Sequence, residues 1–186
     1  MHRWAAPAAI VGGLAWIPIR LAIGVTFNEP LLGLTYVQWN QLEVIPLPLM
    51  LVALVAGVGA AVASRLSTIG LWIAAIGLAG MLVGVVVEFW IAGGLSGDRE
   101  LSTAGWGVYL LAMAVHVAGM VPLGIGLLRA GARRRWRLGA LAIAVGVLHA
   151  LWLPSGLAVP VLGLVDQALI GLAWAGIGLV LLGPDA

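Results

Sequence analysis

Cysteine and lysine are both absent from the chain. Without thiols it builds no disulfide, no thiolate metal site and no cysteine nucleophile. Charge is scarce as well: charged residues make up 9% of the 186 positions, against about 25% in soluble domains. Hydrophobic residues fill the difference at 63%, where a soluble domain has roughly 45–50%. A fold of this size cannot hide so much apolar surface from water, so its solvent is lipid. Strict polar–apolar alternation is missing too, which removes a membrane barrel and leaves helices as the spanning structure. No H-E-x-x-H, G-x-S-x-G or phosphate-binding G-x-x-x-x-G-K-[ST] motif occurs, so the sequence leans away from an enzyme.

What is present is a succession of apolar runs, each of about 18 residues or more and long enough to cross a bilayer as helix. They predict an all-α integral membrane protein, a single domain of about six transmembrane helices, over residues 7–27, 46–64, 68–93, 104–129, 137–153 and 160–182. The N-terminal MHRWAAPAAIVGGLAWIPIRLAIG resembles a signal peptide in its basic start and apolar run. Pro18 and Arg20 interrupt that run, and no small-residue cleavage site follows, so it reads as a retained first helix. Residues 28–44 read as a loop with a short interfacial segment. PSG at 154–156 reads as a turn beside Trp152 rather than a serine nucleophile.

The net charge of +2 does not mark a nucleic-acid binder, because the arginines follow membrane topology. Arg3, Arg65, Arg129, Arg133, Arg134, Arg135 and Arg137 fall on one side of a six-span chain. Arg99, with Glu29, Asp98 and Glu100, falls on the other. Arginine excess marks the cytoplasmic face, which places both termini in the cytoplasm of a bacterial-type cell and the protein in its plasma (inner) membrane. Trp4, Trp72 and Trp136 then sit at the inner interface, and Trp39, Trp90, Trp106 and Trp152 at the outer one. Twenty-seven glycines, most inside spans, read as helix-packing positions. GLAW occurs at 13–16 and again at 171–174, too little for an internal duplication.

The few ionisable groups inside the spans share a depth. At 1.5 Å per residue, Arg20, His116 and His149 lie roughly 18–20 Å above the inner boundary, and Glu88 roughly 30 Å. Asp166 lies roughly 9 Å below the outer boundary, and Glu43 sits at the start of the second helix. The outer half of the bundle thus gains a polar layer while the inner half has none. Helical phase puts Glu88 on the face of Gly70, Gly77 and Gly84, and His116 with Gly105, Tyr109, Ala112 and Gly119. Arg20 shares its face with Ala9, Gly13, Trp16 and Gly24, and His149 with Ala142 and Gly146. Small residues mark helix contacts, so these groups point into the bundle; the face of Asp166 is mixed.

Intramembrane ionisable groups mark either a functional site or an ion pair that fixes packing. Two expectations follow. Arg20, Glu88, His116, His149 and Asp166 line a pocket for a small molecule or lipid head group, or carry a coupled proton. Arg20 and Glu88 alternatively pair with one another, and Glu43 serves a helix dipole. A different class of function is haem b electron transfer, with His116 and His149 as axial ligands, or a metal held by both with Glu88 or Asp166. A third is an accessory or assembly subunit whose partners are other proteins of a membrane complex. The lipid bilayer is a partner in every case, nucleic acid in none.

Overall fold

Two capping boxes set where the second and third membrane helices begin. Thr35 Oγ1 accepts from the Gln38 backbone N–H while the Gln38 side chain accepts from the Thr35 N–H. Ser64 and Ser67 repeat the arrangement. Each helix therefore starts with orphan N–H groups already bonded. The computed structural model describes residues 3–26 and 29–183, apart from the side chain of Leu153. Its helices are α1 (Ala5–Val25), α2 (Tyr36–Gln41), α3 (Pro46–Val52), α4 (Arg65–Val85), α5 (Arg99–Arg129), α6 (Arg133–Ala158) and α7 (Pro160–Leu182). Wider turns at Ala53–Val58 and Val86–Ile91 extend α3 and α4. Among the described residues six helical segments are long and apolar enough to cross a membrane, as in a multi-pass membrane protein. Among the described residues the only extended pairing is one bridge, Leu31 with Leu34.

Several boundaries move outward from the sequence expectation. The second apolar helical segment runs Tyr36–Ala61, so half of the expected loop is helix: it starts at the Thr35 cap and takes in Pro46 and Pro48 after a 3₁₀ turn. The fourth and fifth segments start at Arg99 and Arg133, and the fifth continues to Ala158. The PSG turn is corrected by this: Pro154, Ser155 and Gly156 lie inside α6. Pro154 brings an allowed helical φ but no N–H, and the helix absorbs that loss near its end. His2, and Phe27 where the first span was expected to end, lie outside the described residues.

Glycine sets how the helices meet. α4 and α5 run antiparallel with a regular register: a Cβ at Gly77 would fall 2.6 Å from His116 Cα, and one at Gly84 2.7 Å from Tyr109 N. From the other side, a Cβ at Gly105 would fall 2.6 Å from Glu88 N, and one at Gly119 2.6 Å from Ala74 Cα. Backbone touches backbone, the close approach that small residues permit in lipid. Gly13 faces Gly171 and Ala175 across α1 and α7, and Gly124 faces Gly139 across α5 and α6. At the end of the bundle opposite Arg99, Arg134 Nη2 donates to the Leu181 carbonyl at 3.2 Å.

This packing separates glycines that must stay from those that need not. Gly77→Ala should cost about 1–3 kcal/mol through overpacking against His116. Gly107, with nothing within 4 Å of its missing Cβ, should accept alanine with a gain of about 0.5–1 kcal/mol from helix propensity. Unfolding of both variants in detergent micelles measures the difference.

Candidate functional site

The polar layer is built around Arg20, on the buried face of α1. Its Nη1 donates to Glu43 Oε1 in a buried ion pair, with Glu43 only 1% exposed. Arg20 Nε donates to Gln167 Oε1 at 3.2 Å, and the same oxygen accepts from Trp16 Nε1 at 3.0 Å. The guanidinium lies 5.2 Å from the ring centre of Trp16 and 4.9 Å from that of Trp152. Arg20 is thus held by groups from three other helical segments and lies against two indoles, contacts suited to its planar, delocalised charge.

Glu43 reaches Arg20 because of a proline. Pro46 has no N–H to give the Leu42 carbonyl, so the Ile45 N–H takes that carbonyl instead at 3.0 Å. The chain tightens into a 3₁₀ turn over Leu42–Val44, and this turn aims Glu43 inward. The helix-dipole role expected for Glu43 is therefore corrected: it is the partner of Arg20. Its Oε2 is buried with no hydrogen bond.

Glu88 occupies a different place. It lies in the wide turn Val86–Ile91, where the Ala92 N–H reaches back five residues to Val87 at 3.0 Å. Such bulges recur at functional sites. The loosened backbone is braced from outside, with Gln41 Nε2 donating to the Phe89 carbonyl at 2.8 Å and Trp90 Nε1 to that of Gln41 at 3.3 Å. Glu88 makes no hydrogen bond or salt bridge to the described residues, although it lies in electrostatic range of Arg20 and Glu43. The expected Arg20–Glu88 pair is not formed, since Glu43 has taken the cation. Glu88 instead lines a cavity of about 170 Å³ with Tyr36, Leu95, Ser102, Thr103 and Trp106. Ser102 Oγ is fully buried and without a partner. Trp106 stacks on Tyr109, ring centres 5.7 Å apart and 8° from parallel.

A second cavity, about 210 Å³, lies beside Arg20 and is lined by Trp152, Gln167, Gly156, Gly163 and Leu164 among others. The two cavities are neighbours: Trp106 borders one, Trp152 the other, and these indoles meet edge to face at 6.3 Å. Asp166 joins neither network through a hydrogen bond to Arg20 or Glu88. It accepts from Ser155 Oγ, tying α6 to α7, while the adjacent Gln167 faces the guanidinium.

His116 and His149 meet, as their shared depth implied, with ring centres 5.3 Å apart. Each Nδ1 lies 2.9 Å from a backbone carbonyl, Ala74 for His116 and Val145 for His149. A carbonyl only accepts, so Nδ1 carries the proton in both rings. His116 Nε2 is left buried without a partner, as is Trp174 Nε1, whose ring stacks on His116 at 6.4 Å. Trp16 touches His149 at 6.3 Å and so joins this aromatic column to Arg20. The geometry gives a haem no slot between the histidines. One turn from His149, a Cβ at Gly146 would fall 3.2 Å from Met120 Cβ and 3.7 Å from the Val117 carbonyl, too close for a macrocycle. Among the described residues no three His, Asp or Glu side chains are grouped to hold a metal.

The five expected residues do not share one cavity: Arg20 and Glu88 line two neighbouring ones, His116 and His149 join an aromatic column that reaches Arg20 through Trp16, and Asp166 binds Ser155. Sequence reasoning missed Gln167, Ser102 and Tyr36 as lining groups, and the contact of Trp16 and Trp152 with the guanidinium. Trp16 had a signal, standing four residues before Arg20 on the same face. Gln167, an uncharged amide beside Asp166, was overlooked in favour of the charge. Comparison with protein-family models, curated proteins and solved structures finds no match for this chain.

The two carboxylates should respond oppositely to mutation. Glu43→Ala leaves Arg20 buried and uncompensated and should cost about 3–5 kcal/mol, whereas Arg20→Met with Glu43→Met together should recover most of it. Glu88→Gln should change stability by no more than about 0.5 kcal/mol. Equilibrium unfolding in mild detergent reads all three.

Proposed function

We propose that this chain is a multi-pass plasma-membrane protein, both termini cytoplasmic, that binds a small molecule or lipid head group through the polar layer near its outer face. The observation that carries this reading is the contrast between the two carboxylates. Glu43 is consumed by Arg20, while Glu88 opens unpaired onto a cavity rimmed by hydroxyls and an indole. A carboxylate without a partner in a low-dielectric bundle is costly and is kept for function rather than packing. Binding accounts for the site better than catalysis does. The cavity combines one carboxyl group, three hydroxyls and aromatic surface, as ligand sites do, and among the described residues lining it no hydroxyl is hydrogen-bonded to a general base. The arginine-rich end faces the cytoplasm on this reading, which opens the Glu88 cavity toward the exterior.

Because the chain has no cysteine, single introduced thiols report sidedness cleanly. In intact cells a membrane-impermeant maleimide should label Thr103→Cys and leave Ala132→Cys unmodified until the membrane is permeabilised. The reverse pattern would invert the orientation, and equal protection of Thr103→Cys before and after permeabilisation would show that the cavity is closed to water.

A further inference from the structure

The Glu88 cavity carries enough chemistry to name the class of its ligand. Arg20 and Glu43 pair with each other, so the Glu88 carboxyl group has no ion-pair partner among the described residues. Beside it Ser102 Oγ is fully enclosed and unbonded, an acceptor and donor with nothing to satisfy it. Thr103 and Tyr36 bring further hydroxyls, and Trp106, backed by Tyr109, brings an indole to the same wall. A buried hydroxyl left unpartnered is destabilising, and one that lines a cavity beside a lone carboxylate marks a site built for a third group. That group must bring positive charge to Glu88 and N–H donors to the hydroxyls, on a body small enough for about 170 Å³. A cavity of about 150 Å³ holds one benzene-sized molecule.

Resting on the small-molecule reading above, we propose that this cavity binds a primary ammonium group. Glu88 receives one N–H and balances the charge, Ser102 Oγ accepts a second, and the indole of Trp106 faces the adjoining carbons. A quaternary ammonium has no N–H to offer and leaves Ser102 unbonded, so it binds more weakly at this site. The ammonium reaches the cavity either as a free small amine or as the head group of an aminophospholipid, and the chemistry of recognition is shared.

The full-length protein, reconstituted in nanodiscs of phosphatidylcholine and phosphatidylglycerol, is titrated with n-propylammonium, tetramethylammonium and neutral 1-butanol. Binding is followed by ligand-observed NMR and by protection of Thr103→Cys from maleimide. The expected result is binding of n-propylammonium, weaker binding of tetramethylammonium and none of butanol. Glu88→Gln should weaken n-propylammonium by at least about tenfold, the loss of a charged hydrogen bond. Ser102→Ala should weaken it less and narrow the gap to tetramethylammonium. Equal binding of butanol and n-propylammonium, unaffected by Glu88→Gln, overturns the ammonium assignment while leaving a ligand cavity in place. No binding and no protection by any of the three overturns the ammonium assignment. If Thr103→Cys is also unreactive to maleimide from either side, the small-molecule reading falls with it. Nanodiscs containing phosphatidylethanolamine distinguish the sources: competition with n-propylammonium identifies the lipid head group, and its absence identifies a free amine.

Discussion

The ion pair between Arg20 and Glu43 is the constraint on which the upper bundle is arranged. An arginine in the middle of a spanning helix is tolerated only with its charge answered and its N–H groups bonded. Here the answer comes from Glu43 in the second spanning segment, from Gln167 in α7 and from the faces of Trp16 and Trp152. Satisfying one guanidinium therefore fixes α1, α6, α7 and the second segment relative to one another. The glycine contact of α1 with α7 then acts on helices whose rotation is already set, while α4 and α5 are held to each other by their own glycines.

That arrangement decides what the remaining polar groups are free to do. With Glu43 spent on Arg20, the Glu88 carboxyl group forms no ion pair among the described residues. Its backbone departs from the α-helical repeat at the same place, and Gln41 braces the departure by binding the Phe89 carbonyl. A wide turn redirects the residues that follow it by a fraction of a turn. Glu88 is thereby carried toward Ser102 and Trp106 on α5, while its backbone stays packed on Gly105.

Much of this was readable in the sequence, in proportion to how local the cause is. Apolar length gave the spans, and the heptad spacing of Gly70, Gly77 and Gly84 gave the face on which α4 meets α5. The common depth of His116 and His149 brought their rings together as expected. The choice of partner for Arg20 was not legible, because depth alone allows Glu88 and Glu43 equally. What separates them is a missing N–H at Pro46, which tightens one turn and swings Glu43 inward. The helical path of residues 36–44 was masked by that proline in the same way. The role of Gln167 was hidden by chemistry rather than by position: a charge draws notice in an apolar run, and an amide does not.

The histidines show why a polar layer does not imply a single pocket. His116 is wedged where Gly77 admits its backbone against α4, and its Nδ1–H is taken by the Ala74 carbonyl. His149 spends its own Nδ1–H on the preceding turn of α6. Both rings then serve as flat surfaces in a column running from Trp174 through His116 and His149 to Trp16, which in turn supports Arg20. The column ends on Trp16, whose ring lies against the guanidinium that binds Glu43. A firmly held Arg20–Glu43 pair is what keeps Arg20 from swinging across to Glu88. The Glu88 carboxyl thus owes its lack of a partner to a pair formed elsewhere, and the binding reading proposed for its cavity rests on that pair.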